Sequence, residues 1–568
     1  VLFRGGPFRL PTDAAPSGNP RKKGEQSMRT KKLLAFVSLS AALTVAGCAG
    51  SSSSQTQSST DQTQGNTSAN NTEDSAADNT DGSTETSADS TQADGKIEGG
   101  SIVVGIQQDF DTLDPHLVES AGTREVLFNI YEGLVKPDSD GNLVGAVAES
   151  YDVSADGTEY TFHLREGVKF HNGDTVTAED VKYSLDRAAG KLDEGVQMSN
   201  LDAIDRVEIE DESTVNVYLT TGDTEFIAYM TAAIIPEGYD DLANNPVGTG
   251  PFKFVSYTAQ DNLVMEKNTD YYGDQAYLDE VTFKIIADAD SSVLLALQSG
   301  IIDIYPYLTA DQADQLTDDY NIEVGTTNLV QALFLNNDVE PFDNELVRQA
   351  LCYLIDPQEI IDMVGGGYGS IIGSGVFPGF GKYYDADLEN AYTRDVEKAK
   401  ELLTEAGYPD GFSMTISVPS NYQYHMDTAQ VIVEQLKEGG IDAEIDPVEW
   451  GTWVSDIYVG REYQSTIVGL DAVLAPKALL GRYDSESSKN FVNFSNEEYD
   501  EAIRAAIAST DDDEKVELYT KCQELLSEHA ASVYLQDPAS LVAVSKKLAG
   551  YTFYPLYVQD MAKIYFVE

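Results

Sequence analysis

The two tryptophans of the chain, Trp450 and Trp453, stand three residues apart, which puts both on one side of a helical turn. Each indole offers a flat apolar face for stacking and one N–H donor, a combination that serves either solute capture or core packing. Arg482 carries a planar fork that can meet a carboxylate bidentately, or lie solvated on the surface. The 32 tyrosines add two-sided contacts, an apolar ring with a polar tip. Of these, Tyr131 and Tyr424, the latter near a predicted helix entrance, are candidates for facing a ligand. No nucleophile stands beside a base in any known pattern: there is no G-x-S-x-G elbow and no P-loop. Gly248 and Gly250 precede Pro251-Phe252, which reads as a turn into a strand. A carboxylate pair acting as acid and base leaves no mark among 96 acidic residues, so a secreted carboxylate-dependent hydrolase stands as a remoter alternative to a non-enzyme. His116, His163, His171, His425 and His529 show no ligand spacing, and neither metal nor cofactor is expected. Cys522 falls on the stripe Leu518, Cys522, Leu525, Leu526, His529 and reads as a buried small hydrophobe. Cys352 falls off the stripe of its own helix and is expected to be partly exposed.

The remaining composition narrows the field. In 568 residues, 36 Lys+Arg face 96 Asp+Glu, for a net charge of -60. Such a surface repels phosphate backbones, so nucleic acid is not the partner. The length favours two or three domains, and 42% hydrophobic residues are ample for large cores.

The N-terminal region runs against this trend. The first 48 residues hold eight bases and two acids. Within them Met28-Arg-Thr-Lys-Lys32 is a basic segment followed by the apolar run Leu33 to Ala46, too short to span a bilayer, which is the pattern of a secretory signal. Residues 1–27 read as a non-native or mis-started extension and 28–47 as the signal. Val45-Ala-Gly-Cys48 resembles the lipobox of bacterial lipoproteins. The resemblance implies that Cys48 carries a thioether-linked diacylglycerol and anchors the chain in the lipid bilayer. Residues 48–96 then form a tether: from Ala49 to Lys96 there is no Leu, Ile, Val, Met or aromatic residue, hence no apolar surface to offset ordering. Its length favours the outer surface of a Gram-positive cell over a periplasm.

From about Ile97 onward, strands alternate with helices. Ser101–Ile106, Tyr160–Leu164, Thr214–Leu219, Thr415–Val418 and Ile441–Ile445 read as strands, with Asp156-Gly157 as a turn. Thr177-Ala-Glu-Asp180 and Ser495-Asn-Glu-Glu498 have capping-box form. Leu346, Val347, Ala350, Leu351, Leu354 and Ile355 make a core-facing helical stripe, and a helix over Val431–Leu436 ends at Gly439-Gly440. The alternation argues for mixed α/β lobes.

A series of motifs adds a resemblance. Asp114-Pro-His116, Asn129-Ile-Tyr-Glu-Gly-Leu-Val135, Tyr160-Thr-Phe-His-Leu-Arg-Glu-Gly-Val-Lys-Phe-His-Asn-Gly173, Val247-Gly-Thr-Gly-Pro-Phe252, Leu297-Gln-Ser-Gly-Ile-Ile-Asp303, Pro341-Phe-Asp343 and Glu405-Ala-Gly-Tyr-Pro-Asp-Gly411 follow in order. Together they resemble the peptide-type solute-binding proteins (family 5) of bacterial ABC importers, across nearly all of residues 100–568. That family implies a two-lobe, periplasmic-binding-protein-like α/β fold, a hinged clamshell. Lobe I would span 97–333 with a subdomain at about 138–240, lobe II 334–532, and 533–568 would return to lobe I. The implied activity is capture of a peptide or peptide-like solute by a monomer and delivery to a membrane permease. The same fold also accommodates an oligosaccharide, a metal chelate or a signalling peptide.

The resemblance also implies where the ligand sits. The segment holding the tryptophans leads to the cleft, and Trp450 is expected in the core with Trp453 facing the cleft. Peptide-binding relatives carry a tryptophan, then an aspartate that pairs with the ligand's α-amine, in the stretch matching Ile467–Pro476. Here Leu470 replaces the tryptophan, Ala472 occupies the anchor position, and Asp471 is the nearest acid. Either Asp471 takes the anchor role with a small shift, or the α-amine lock is missing.

Overall fold

One long strand, Ser532–Ser545, organises the molecule. The computed structural model describes residues 95–568 apart from 193–195, 199, 287, 288, 317 and 472. The expected extension, signal, Cys48 and nearly all of the tether lie outside the described residues, as does Ala472. Ser532–Ser545 is 14 residues long, and its two halves pair with different neighbours. Its first half runs antiparallel to Val330–Leu335, with Gln331 opposite Gln536. Its second half runs antiparallel to Ile304–Leu308 and Tyr320–Thr326.

From this strand the sheet extends both ways. One side continues through Ile304–Leu308, Ser101–Ile106, Glu280–Ile285, Asn262–Lys267 and Phe252–Thr258. The other continues through Val330–Leu335, Ser465–Leu470, Ser413–Pro419 and Asp442–Val448. Both sides contain parallel pairs, Ser101–Ile106 with Glu280–Ile285 and Ser413–Pro419 with Asp442–Val448, which require crossover helices on their faces. The described chain passes between the halves through 326–330 and through 536–540, so these two segments form a covalent pivot in the sheet. A separate four-stranded sheet, in the order Ala148–Val153, Glu159–Leu164, Thr214–Leu219, Ile204–Asp211, carries its own core.

Local chemistry accounts for the elements. Helix Ala178–Ala188 starts at a capping box in which the Thr177 side chain accepts from Asp180 N–H and Asp180 answers. The second expected box starts one residue later: Asn496, not Ser495, caps helix Glu497–Ala508 by accepting from Tyr499 N–H, since asparagine is as good a cap as serine. Gly248 and Gly250 do serve a turn. A Cβ on Gly248 would sit 2.1 Å from the Ile130 carbonyl oxygen, so only glycine lets these backbones pass.

The apolar stripe of helix Glu345–Leu354 is buried, but its burial is wider than the stripe. Cys352 is also covered, 6% exposed, which corrects its expected partial exposure. The helix is packed on a second side, with Cys352 Sγ 4.0 Å from the Ser532 carbonyl oxygen, and burial pushes the thiol up to about 12. Cys522 is fully buried and its thiol is likewise raised to about 12. Neither thiol is a nucleophile at neutral pH.

Candidate functional site

Three structural units converge on the space between the halves of the sheet: the pivot segments, the end of strand Ser465–Leu470 in lobe II, and helix Ala121–Leu127 in lobe I.

At the pivot, polar side chains replace the usual apolar filling. Gln536 Nε2–H donates to Gln331 Oε1 at 2.8 Å, and both glutamines are fully buried. Gln331 Nε2–H donates to His425 Nδ1 at 2.7 Å and to Thr428 Oγ1 at 3.2 Å. An Nδ1 that accepts assigns the neutral imidazole, and burial holds His425 far down, at about 3. Tyr424, at the entrance of helix Gln423–Lys437, donates its hydroxyl to Gln536 Oε1 at 3.3 Å. It is half-buried, and burial raises its hydroxyl to about 12. The next residue on the strand, Asp537, is fully buried. Its Oδ1 accepts from Leu329 N–H and Thr327 Oγ1–H, each at 3.0 Å, which ties the two pivot segments together. Its Oδ2 has no partner, and burial raises the carboxyl to about 7.

In lobe II the candidates from sequence form one connected group. Trp450 and Trp453 stack with ring centroids 5.2 Å apart and planes 5° off parallel. Their expected roles are reversed. Trp453 is 3% exposed inside the lobe II core, with its Nε1–H donating to Thr466 Oγ1 at 2.9 Å, whereas Trp450 is only half-buried. Trp450 opens the short α-turn that Glu449 caps, whereas Trp453 begins the π-helical turn Trp453–Val459 and packs against the lobe II core. Trp450 meets Tyr422 edge-on at 5.4 Å. Trp453 also stacks on Tyr458 at 6.0 Å, and the Tyr458 hydroxyl accepts from Arg482 Nη1–H at 2.8 Å. Arg482 Nε–H donates to the Ala478 carbonyl oxygen at 2.9 Å. The buried tryptophan thus supports the side chain that holds Arg482.

Asp471 has an unusual setting. Its surface is open to solvent, yet protein surrounds it closely enough that loss of hydration raises its carboxyl above the usual range. Arg482 and Arg124 pull the other way, Arg482 the more strongly, so a cation from each lobe acts on this carboxylate. Arg124 Nη2–H donates to the carbonyl oxygens of Val118 and Glu119 at 3.0 and 3.2 Å. Its sequence context, Thr-Arg-Glu in a short helix, gave no signal beyond a solvated helix face.

Tyr131 stands apart from these residues. It is buried in the lobe I core, 6% exposed, with its hydroxyl on the Leu113 carbonyl oxygen at 3.2 Å, because Gly248 lets the neighbouring turn close over its ring. That placement corrects its expected ligand-facing position. Two other histidines, His116 and His171, are covered and bond backbone carbonyls, whereas His163 lies at the surface beside Asp152 and His529 pairs with Glu345. His116 Nε2 lies 2.8 Å from the Ala233 carbonyl oxygen and His171 Nε2 3.0 Å from that of Gly250, and burial lowers each ring to about 4. Among the described residues no group of three or more His, Cys, Asp or Glu could hold a metal ion. A wide hollow of about 650 Å³ opens on lobe II between Gln349, Tyr392 and Glu524, away from all of these groups.

The lobes touch a second time through the loop Asp223–Glu225. Lys477 of lobe II pairs with Asp223, and its backbone N–H donates to Glu225 Oε2 at 3.3 Å. Glu225 also accepts from the Tyr519 hydroxyl and stands 3.7 Å from the buried Lys515 ammonium. Thr224 Oγ1 lies 3.1 Å from the carbonyl oxygens of both Ile507 and Ser509. Burial raises the Glu225 carboxyl despite these partners.

Two lobes sharing a pivot, with charged groups lining the cleft between them, is the geometry of a solute receptor. The sequence profile of bacterial extracellular solute-binding proteins, family 5, matches residues 142–491. The chain belongs to that family. A glutathione-binding protein, GsiB of Salmonella typhi, is 30% identical over 476 residues, covering 80% of this chain and 92% of that protein. Among solved structures, the periplasmic binding protein DppA of Helicobacter pylori, in complex with the peptide STSA, is 29% identical. It covers 83% of this chain and 99% of its own, with a TM-score of 0.67. The substrate-binding protein CtaP of Listeria monocytogenes is 27% identical, covering 83% of this chain and 100% of its own, with a TM-score of 0.74. The family 5 chain described here is therefore a two-lobe, extracellular solute-binding protein of an ABC importer, and its relatives are solute-binding proteins.

Proposed function

We propose that the protein captures a short peptide or peptide-like solute between its lobes and hands it to a membrane permease, without catalysing a reaction. The observation that carries this reading is the cleft carboxylate Asp471 acted on by Arg482 from its own lobe and Arg124 from the other. A zwitterionic solute offers an ammonium to the former and carboxylates to the latter two, so it bonds both lobes at once and stabilises their approach. Asp471 then serves as one polar contact despite Leu470 and Ala472, Trp450 and Tyr424 supply stacking and a hydroxyl at the cleft walls, and Trp453 supports Arg482 from behind. The glutathione named for one relative and the peptide named for another are solutes of this kind. We further propose that Cys48 is acylated and that 48–96 tether a monomeric receptor to the outer face of a Gram-positive membrane.

Thermal-shift titration of the full chain with glutathione, tripeptides and oligosaccharides tests the cargo. A ligand at 100 times its Kd adds about 2.7 kcal/mol to stability. Stabilisation by glutathione or tripeptides, lost in Arg482→Ala, supports the reading; stabilisation by oligosaccharides alone overturns the peptide assignment. Metabolic labelling with a clickable fatty acid, lost in Cys48→Ala, tests the anchor.

A further inference from the structure

Helix Ala121–Leu127 sends two neighbouring charges in different directions. Arg124 acts on Asp471, whereas Glu125 turns into lobe I, where it is 5% exposed. There it borders a cavity of about 50 Å³ at the pivot, walled by the rings of Tyr307, Tyr551, Phe553, Tyr554 and Tyr557. Glu125 is the one charged side chain among the described residues lining this cavity. Its carboxylate accepts from the Tyr307 hydroxyl, and its backbone carbonyl takes Gln559 N–H at 3.1 Å, which pins the C-terminal segment over the pocket. Tyr551 and Phe553 meet edge to face at 5.3 Å, fixing the aromatic wall. The Tyr557 hydroxyl is covered from solvent and has no hydrogen-bond partner. Thr326, Thr327, Asn328 and Ser540 of the two pivot segments complete the lining, so the cavity lies where the lobes join.

A carboxylate enclosed by π faces is a receptor for a cation. The ring quadrupoles present negative potential, the carboxylate supplies the counter-charge, and an orphan hydroxyl accepts one N–H. The size admits a few waters or one ammonium head group, not a side chain with a bulky end. We propose that this pocket binds a protonated amine of the solute, either its α-amine or the amine of a basic side chain. This rests on the peptide reading and adds a second amine site to it: Asp471 of lobe II meets one ammonium, and lobe I supplies a carboxylate for another.

Isothermal titration calorimetry on the full chain with Ala-Ala-Ala, N-acetyl-Ala-Ala-Ala and N-acetyl-Ala-Lys-Ala tests the pocket and separates the two amine sources. At least one cationic peptide should bind about tenfold or more tighter than the acetylated neutral one, since a charge-assisted hydrogen bond in a dry site is worth at least that factor. Glu125→Gln should abolish the margin while leaving N-acetyl-Ala-Ala-Ala unchanged. Tyr557→Phe removes only an unpartnered hydroxyl, so it folds normally and should lose a few-fold part of the margin. If the margin survives both substitutions, the pocket is not an amine site and the peptide reading stands; if the peptides bind with no margin, neither Glu125 nor Asp471 reads an amine, and this proposal falls together with the Asp471 contact. If none of the three binds, the peptide reading and this proposal fall together.

Discussion

Two of the places where the lobes meet are built from opposite chemistry. At the pivot, Gln331, Gln536, Thr428 and His425 interlock through neutral groups, and the Asp537 carboxyl is driven by burial towards its neutral form. At the loop Asp223–Glu225, carboxylates meet the ammonium groups of Lys477 and Lys515. Neutral amide bonds are short-ranged and directional, so they specify one geometry for two strands that must stay paired. Ion pairs act over longer distances, tolerate misalignment and weaken with salt, which suits a contact between bodies that move relative to one another. The difference teaches where this protein spends its directional bonds and where it leaves adjustable ones.

Four substitutions sharpen the contrast. Glu225→Ala should have the largest effect. It strips the buried Lys515 of its ion pair and the Tyr519 hydroxyl of its acceptor, a loss of about 3–5 kcal/mol in urea unfolding. A loss below 1 kcal/mol would show that the contact is only superficial. Asp537→Asn should act with the opposite sign. The folded carboxyl holds its proton up to about pH 7, whereas the unfolded chain releases it near 3.8, so wild-type stability is full below that lower value and drains away as pH rises through about 7. The asparagine variant should match wild type at pH 4 and exceed it at pH 8, by on the order of 2 kcal/mol. A pH-independent difference would mean that Oδ2 finds a partner. Lys477→Ala should cost about 1 kcal/mol at low salt, since its pair with Asp223 is partly exposed, and melting curves in 0.5 M NaCl should erase much of that cost. Thr224→Val removes a hydroxyl serving two carbonyls and should cost about 0.5–1 kcal/mol, with no dependence on salt.

The two regions also differed in how far they could be read beforehand. The pivot strand was foreseen only as the place where 533–568 returns to lobe I; the polar pair Gln536-Asp537 behind the apolar run Val533-Tyr-Leu went unread, because its partners Gln331, Thr327 and Leu329 lie 205–210 residues away. The loop Asp223–Glu225 carries no mark at all, for acids abound in this chain and only the fold reveals which of them lysines cover. The tryptophans show the same limit. Their spacing marked one helical turn, but only packing against the lobe II core and the Thr466 hydroxyl decided that Trp453 is the buried one. Tyr131 was misplaced because a family signature and a core position look alike until Gly248 is seen to close over the ring.

By itself the amino-acid sequence determined the alternation of strands and helices, the capping box at Thr177 and the membership of a solute-receptor family. These depend on short-range periodicity, on local hydrogen bonds and on motifs kept in order, all of which a linear string records. Only the tertiary structure decided that Arg124 and Arg482 both act on Asp471, that Glu125 faces a ring of tyrosines, and that Asp537 is buried across two pivot segments. These residues come from distant parts of the chain, and their electrostatics follow from burial and mutual distance, which no stretch of sequence contains.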